Sequence, residues 1–229
     1  MKPLFVFLTV TSAMIPSSLS VAAEAKPEQR LAESATVLQE VMSINEKAIP
    51  EDLLRKAHCI AIVPGLKKGA FIVGGKFGRG FISCRDKGLP GWSAPAAIRV
   101  EGGSIGFQIG GSESDVIMLV MTARGSDKLL ESQFTLGGEG EVAAGPVGRD
   151  ATAQTDAKFQ AEILSWSRSR GLFAGVSLQG ATLRTDMDDN KVIYGERLNS
   201  REAVMRKTAP PSAGKLLELL NRYSPVEKK

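Results

Sequence analysis

Between residues 27 and 45 the apolar side chains Leu31, Ala35, Leu38, Val41 and Met42 recur at three- and four-residue spacing, which predicts a helix with one buried face. The opposite face carries Glu28, Arg30, Glu33, Glu40 and Glu46. Pro50 then opens a second short helix over residues 51–57, at a first-turn position where proline is tolerated. From Cys59 the rhythm shortens. Runs rich in β-branched and aromatic residues, at 59–63, 70–74, 77–83, 96–100, 104–109 and 116–122, alternate with glycines and predict strands joined by tight turns. Ser126 is placed to cap a short helix through Leu130, and Gly137-Gly138 restarts the strand pattern. In Ser165-Trp166-Ser167-Arg168-Ser169 the period is two, with serines on one face and Trp166 and Arg168 on the other. Residues 171–183 read as one strand punctuated by Gly175 and Gly180, residues 186–191 as a polar turn, and Val192-Ile193-Tyr194-Gly195 as a further strand. Ser200 caps another short helix, Pro210-Pro211 stiffens a linker, and Ser212 starts an amphipathic terminal helix through Leu216, Leu217, Leu219 and Leu220.

The chain holds 24 glycines, whereas ordinary usage of about 7 % predicts roughly 16. Glycine inside strands marks bulges, sharp bends and close backbone approach. The fold class expected is therefore α+β and β-rich: a bent, antiparallel, barrel-like or two-layered sheet with short N-terminal, middle and C-terminal helices.

The first residues change the picture of the compartment. Residues 4–15 form an apolar run broken only by Thr9, Thr11 and Ser12, too short to span a bilayer, and Val21-Ala22-Ala23 and Ala23-Glu24-Ala25 offer small-x-small cleavage patterns. Residues 1–25 are expected to be a signal peptide, which places the mature protein in the periplasm or outside the cell. Residues 26–209 then form one domain, with residues 210–229 a linker and a C-terminal helix packed on it. Export gives Cys59 and Cys84 meaning, because an oxidising compartment lets the pair persist as a disulfide. Two buried free thiols account for them equally well at this stage.

The net charge of +4 excludes little. Nucleic acid is set aside because export separates the protein from it and only two tyrosines and two tryptophans are available for stacking. No metal site or cofactor is expected, since His58 is the single histidine and the cysteines are widely spaced. No catalytic residue is assigned either. Gly102-Gly103-Ser104-Ile105-Gly106 matches a nucleophile elbow, yet a strand-like segment follows it and the histidine precedes the serine. Asp186-Met187-Asp188-Asp189-Asn190 begins like a calcium loop, but Lys191 stands where glycine is needed and Arg197 where glutamate is needed, so a solvated turn is expected. Gly74-Gly75-Lys76-Phe77-Gly78-Arg79-Gly80 lacks the spacing of a phosphate loop. What survives is a concentration of cations, Lys67, Lys68, Lys76, Arg79, Arg85 and Lys87, on adjoining loops and strands. Such a group serves equally as a solvated surface or as a seat for phosphate head groups.

Several segments together resemble the SYLF domain, the family of the yeast actin-patch proteins and their lipid-binding animal relatives. They are AHCIAIVPGLKKGAFIVGG (57–75), GWSAPAAIRVEGGSIGFQIGG (91–111), DVIMLVMTAR (115–124), VAAGPVGR (142–149) and DAKFQAEILSWSRSRGLFAGVSL (156–178). The resemblance implies a non-enzymatic module that associates with phosphoinositides or other anionic phospholipid at a membrane surface. It also implies actin in the cytosolic members, a partner unlikely for an exported protein, where an envelope protein is the alternative. The family's lipid contact is associated with an amphipathic N-terminal segment, whereas the helix at 27–45 has a mostly acidic polar face. Lys67, Lys68, Lys76 and Arg79 are therefore the expected head-group contacts.

Overall fold

The computed structural model describes residues 25–44, 49–70, 73–85, 91–105, 110–139, 141–146, 161–169, 172–176 and 178–225. The expected leader, apart from Ala25, lies outside the described residues, as do Lys87 and Phe107 to Ile109.

Four long strands form the middle of the sheet: β1 (Cys59–Ala70) and β2 (Val73–Cys84) pair as a hairpin, β3 (Ala96–Ile105) lies on the far side of β2 and β4 (Gly110–Val120) on the far side of β1. Glycines expected to end strands lie inside them, and of the strand expected at 70–74, Ala70 ends β1, Val73 and Gly74 open β2, and residues 71–72 lie outside the described residues. Five shorter strands complete the sheet: β5 (Gln133–Thr135), β6 (Val142–Ala144), β7 (Ile163–Ser169), β8 (Leu172–Gly175) and β9 (Thr182–Thr185). Their order is β5-β9-β3-β2-β1-β4-β7-β6, with β8 also on β7. All pairs are antiparallel except β6 with β7. The outermost strands β5 and β6 are consecutive in the chain, so the sheet curls into a half-barrel whose edges are joined by residues 136–141. The expectation of a bent, β-rich α+β fold holds.

Alternation sorts the side chains to two cores. Cys59, Ala61, Val63, Ile98, Val100, Val116, Met118 and Ile163 point into the concave face, where Phe134 and Leu136 close over them. Ile60, Ile62, Phe81, Ile117, Leu119, Leu164 and Trp166 point to the convex face. There α1 (Pro27–Met42), α2 (Glu51–Lys56) and α6 (Gly214–Tyr223), the last entered through a 3-10 turn Pro211–Ala213, bury their apolar residues.

One irregularity decides which face each lysine takes. In β1 the pairing slips between Val63 and Leu66, where Pro64 and Gly65 form a bulge and Gly65 adopts φ +57°. A bulge inserts a residue and reverses the alternation. Val63 and Leu66 consequently both face the concave core. Opposite the bulge, a Cβ on Gly80 would lie 2.0 Å from the Ile62 carbonyl oxygen, so only glycine lets β2 come this close.

Cys59 and Cys84 stand directly opposite each other in β1 and β2 and are joined by a disulfide that closes 25 residues of chain. Loop closure of that length contributes about 3 kcal/mol. A Cys59→Ala/Cys84→Ala variant is expected to lose that amount in urea denaturation, with a steeper slope because the uncrosslinked unfolded chain exposes more surface.

Three helices differ from the sequence reading. Thr122, not Ser126, caps α3 (Ala123–Leu129), its side chain accepting from the Gly125 amide. Asn199, not Ser200, caps α5 (Ser200–Val204), and Glu202 returns the bond to complete a capping box. The expected polar turn and strand at 186–195 are one helix, α4 (Met187–Tyr194), begun by the Asp186 side chain accepting from the Asp189 amide and ended by Gly195 at φ +79°. Two strong caps outweigh the weak strand preference of Val192, Ile193 and Tyr194. The single strand expected at 171–183 is divided instead between β8 on one part of the sheet and β9 on another.

Candidate functional site

The register of the central strands places the four expected contact residues one by one. Lys68 pairs with Lys76 and Lys67 with Phe77, near the end of the hairpin. Because of the bulge, Lys68 and Lys76 share the concave side while Lys67 and Phe77 share the convex side. The lysines therefore straddle the hairpin end rather than forming one face. None of the three has an ion pair among the described residues. Burial, and then the neighbouring Lys76 ammonium, hold the Lys68 pKa below its ordinary value. Phe77 is 42 % exposed. Next to these residues lies one cross-strand row of glycines, Gly111, Gly69, Gly75 and Gly103.

Arg79 shares the convex side with Lys67 and Phe77, its guanidinium 5.9 Å from the Phe77 ring centroid, but it is also engaged by carboxylates. Its Nε lies 3.4 Å from Asp186 and its NH1 nitrogen 3.3 Å from Asp189, under α1. Arg30 of α1, expected on a solvated face, is only 4 % exposed and pairs with Asp189 from the other side. Asp186 and Asp189, expected in a solvated turn, are thus buried with two guanidinium groups. Burial, and secondarily Asp186, push the Asp189 carboxyl above its ordinary range, opposed by Arg30 and Arg79. Arg85 is more distant still, at the opposite end of β2, where it stacks on Trp92 and donates to Ser224.

A cleft of about 640 Å³ opens between α1 and the convex side of the hairpin. Arg30, Lys67, Arg79 and Arg168 line it together with Glu33, Glu40, Glu113 and Asp115. Arg168, remote in sequence from the other cations, is held by Glu40 and by Asp115, the latter at 2.8 Å. Its position follows from the alternation in β7 that puts it on the face of Trp166. With equal numbers of cations and carboxylates, this cleft offers no surplus charge to an anion. Lys68 and Lys76, on the other side of the hairpin, stand outside that balance. Ser104, meanwhile, pairs with Gly74 inside the β2–β3 ladder rather than standing on a strand-to-helix turn.

Comparison with known proteins gives these features a family. A family model described as Ysc84, Las17-binding protein actin regulator, matches residues 101–223. SH3 domain-containing YSC84-like protein 1 of Rattus norvegicus is 32 % identical over 216 residues, covering 92 % of this chain and 61 % of the relative. Its Xenopus laevis counterpart is 33 % identical over 220 residues, at 92 % and 62 %. LAS seventeen-binding protein 3 of Saccharomyces cerevisiae is 33 % identical over 202 residues, covering 87 % of this chain and 43 % of the relative. The chain thus spans less than two thirds of these relatives. Their names and the family description speak of binding and regulation and state no reaction. On a match that takes in β4 to β9 and the helices after them, the chain belongs to the Ysc84, or SYLF, family.

Proposed function

We propose that the protein is a non-enzymatic, exported module that meets anionic phospholipid through the end of the β1–β2 hairpin. One observation carries the reading: Lys67 beside a half-exposed Phe77 on one side of the hairpin, and Lys68 with Lys76 on the other, stand near its end without ionic partners among the described residues. A lysine close to an anionic surface is worth about 1 kcal/mol, and a neighbouring aromatic side chain adds apolar contact at the head-group level. The SYLF likeness supports the same partner. The acidic exposed face of α1 does not, and its apolar residues Leu31, Ala35, Leu38 and Val41 are already packed in the core. Arg79 is left out of the contact set, which becomes Lys67, Lys68, Lys76 and Phe77.

The family description as a Las17-binding actin regulator favours a second reading, a protein-interaction module, and gives no ground for setting actin aside. Sedimentation separates the two. With vesicles of phosphatidylcholine containing phosphatidylserine, Lys67→Gln, Lys68→Gln and Lys76→Gln should each weaken recovery by about fivefold at low salt, from about 1 kcal/mol apiece. Equal recovery on pure phosphatidylcholine, or pelleting with actin filaments alone, would refute the lipid reading.

A further inference from the structure

The convex face of β2, β3 and β9 carries three arginines in one cross-strand row. Arg79 pairs with Arg99, and Arg99 with Arg184. Like charges directly opposite each other destabilise a sheet, so the row needs compensation. Asp186 and Asp189 supply it for Arg79. Arg99 and Arg184 share a single carboxylate, Glu101, whose two oxygens lie 3.0 Å from the Arg99 Nε and 3.3 Å from the Arg184 Nε. Neither contact is aligned as a hydrogen bond. Glu101 therefore holds the two guanidinium groups side by side by their inner nitrogens. Their terminal nitrogens, with eight N–H donors in all, have no partner among the described residues. Both side chains stand more than a third exposed. Gln133 continues the same row, Phe77 and Thr182 flank Glu101 in the next, and the Glu139 carboxylate beyond them is taken up by the Thr135 amide.

We propose that Arg99 and Arg184 form a binding site for a phosphomonoester, with Glu101 as the residue that positions them. Paired strands stand about 4.8 Å apart, a spacing at which two planar forks can bracket one tetrahedral oxyanion. Two arginines against one glutamate leave one net positive charge, which one negative charge of a phosphomonoester neutralises. Lysines would satisfy Glu101 equally well but could not offer paired donors. This site adjoins the hairpin end, since Glu101 stands opposite Phe77, but its arginines lie on other strands and it stands whether or not the lysines meet a membrane.

The test uses the full chain with inorganic phosphate as probe, at ionic strength held constant with sodium chloride. The Nε–H resonances of Arg99 and Arg184 are expected to shift saturably. Arg99→Lys and Arg184→Lys, which keep the charge and lose the fork, should each raise Kd about tenfold. Lys215→Gln, on the exposed face of α6, should leave it unchanged. Two further titrations identify the source of the phosphate. If glycerol 3-phosphate reproduces the shifts while recovery on vesicles containing phosphatidic acid is the same for the wild type and Arg99→Lys, the ligand is soluble. If Arg99→Lys lowers that recovery, the phosphate is borne by a lipid. Shifts that grow linearly and match those in chloride, or lysine variants with the wild-type Kd and melting temperature, would overturn the proposal.

Discussion

Replacing Arg30 by methionine is expected to cost about 3–5 kcal/mol of folding stability at neutral pH, the range for removing one partner of a buried ion pair. Methionine fills most of the space of the arginine stem, so the loss measures charge rather than a cavity. What remains is a pair of buried carboxylates, Asp186 and Asp189, facing Arg79 alone. The loss should therefore depend on pH. In the intact protein burial and Asp186 already hold the Asp189 carboxyl above its ordinary range. The folded state thus binds that proton more tightly than the unfolded chain does, and stability at this group falls as pH rises from about 4, the ordinary carboxylate value, through the raised one. Removing Arg30 raises the value further. The deficit of Arg30→Met should be largest at neutral pH and shrink as acid protonates Asp189 in both proteins. Urea denaturation at a series of pH values reads this directly. A constant deficit would show that Arg30 acts through packing alone. Asp189→Asn in the Arg30→Met background should recover part of the loss at neutral pH, because it removes the uncompensated charge.

That ion pair also shows where sequence reading stops. Arg30 and Asp189 are 159 residues apart, and nothing in the spacing of either segment brings them together. The apolar stripe of α1 was legible because period 3.6 is a local signal, yet the same wheel put Arg30 on the wet side. The alternation in β7 was equally legible and placed Trp166 and Arg168 on one face, as found. The bulge at Pro64 and Gly65 was not. A proline and a glycine punctuate a sequence in the same way whether a strand ends or only slips, and that one residue of slip divides Lys67 from Lys68. Only the register between β2, β3 and β9 turns three separated arginines into a row. Local chemistry thus identified the elements and the sheet's bend. The grouping of side chains into sites depended on long-range pairing.

The indole of Trp166 is the largest fully buried side chain, and Trp166→Ala is expected to cost about 3–5 kcal/mol. Part of that loss is polar, since the indole Nε1 donates to the Pro146 carbonyl at 3.0 Å and truncation leaves that acceptor buried. The rest comes from a tight fit against backbone. A Cβ on Gly145 would lie 2.0 Å from the indole Cε2, and Gly145 itself donates to the Ser165 carbonyl from beside β6. Gly145→Ala should therefore destabilise for the opposite reason, by overpacking, at about 1–3 kcal/mol. In the double variant the added methyl group enters the space left by the indole, so the two losses should fall short of their sum by about 0.5–3 kcal/mol. The cleft should register the change as well, because Arg168 lies two residues beyond Trp166 on the same face and pairs across the ladder with Phe173 of β8. Loosening β7 frees Arg168 from Asp115 and Glu40 without altering the β1–β2 hairpin. Vesicle recovery should then stay at the wild-type level while stability falls. Strict additivity of the two substitutions would refute the contact between Gly145 and the indole. A parallel loss of vesicle binding would show that the β1–β2 end does not act alone.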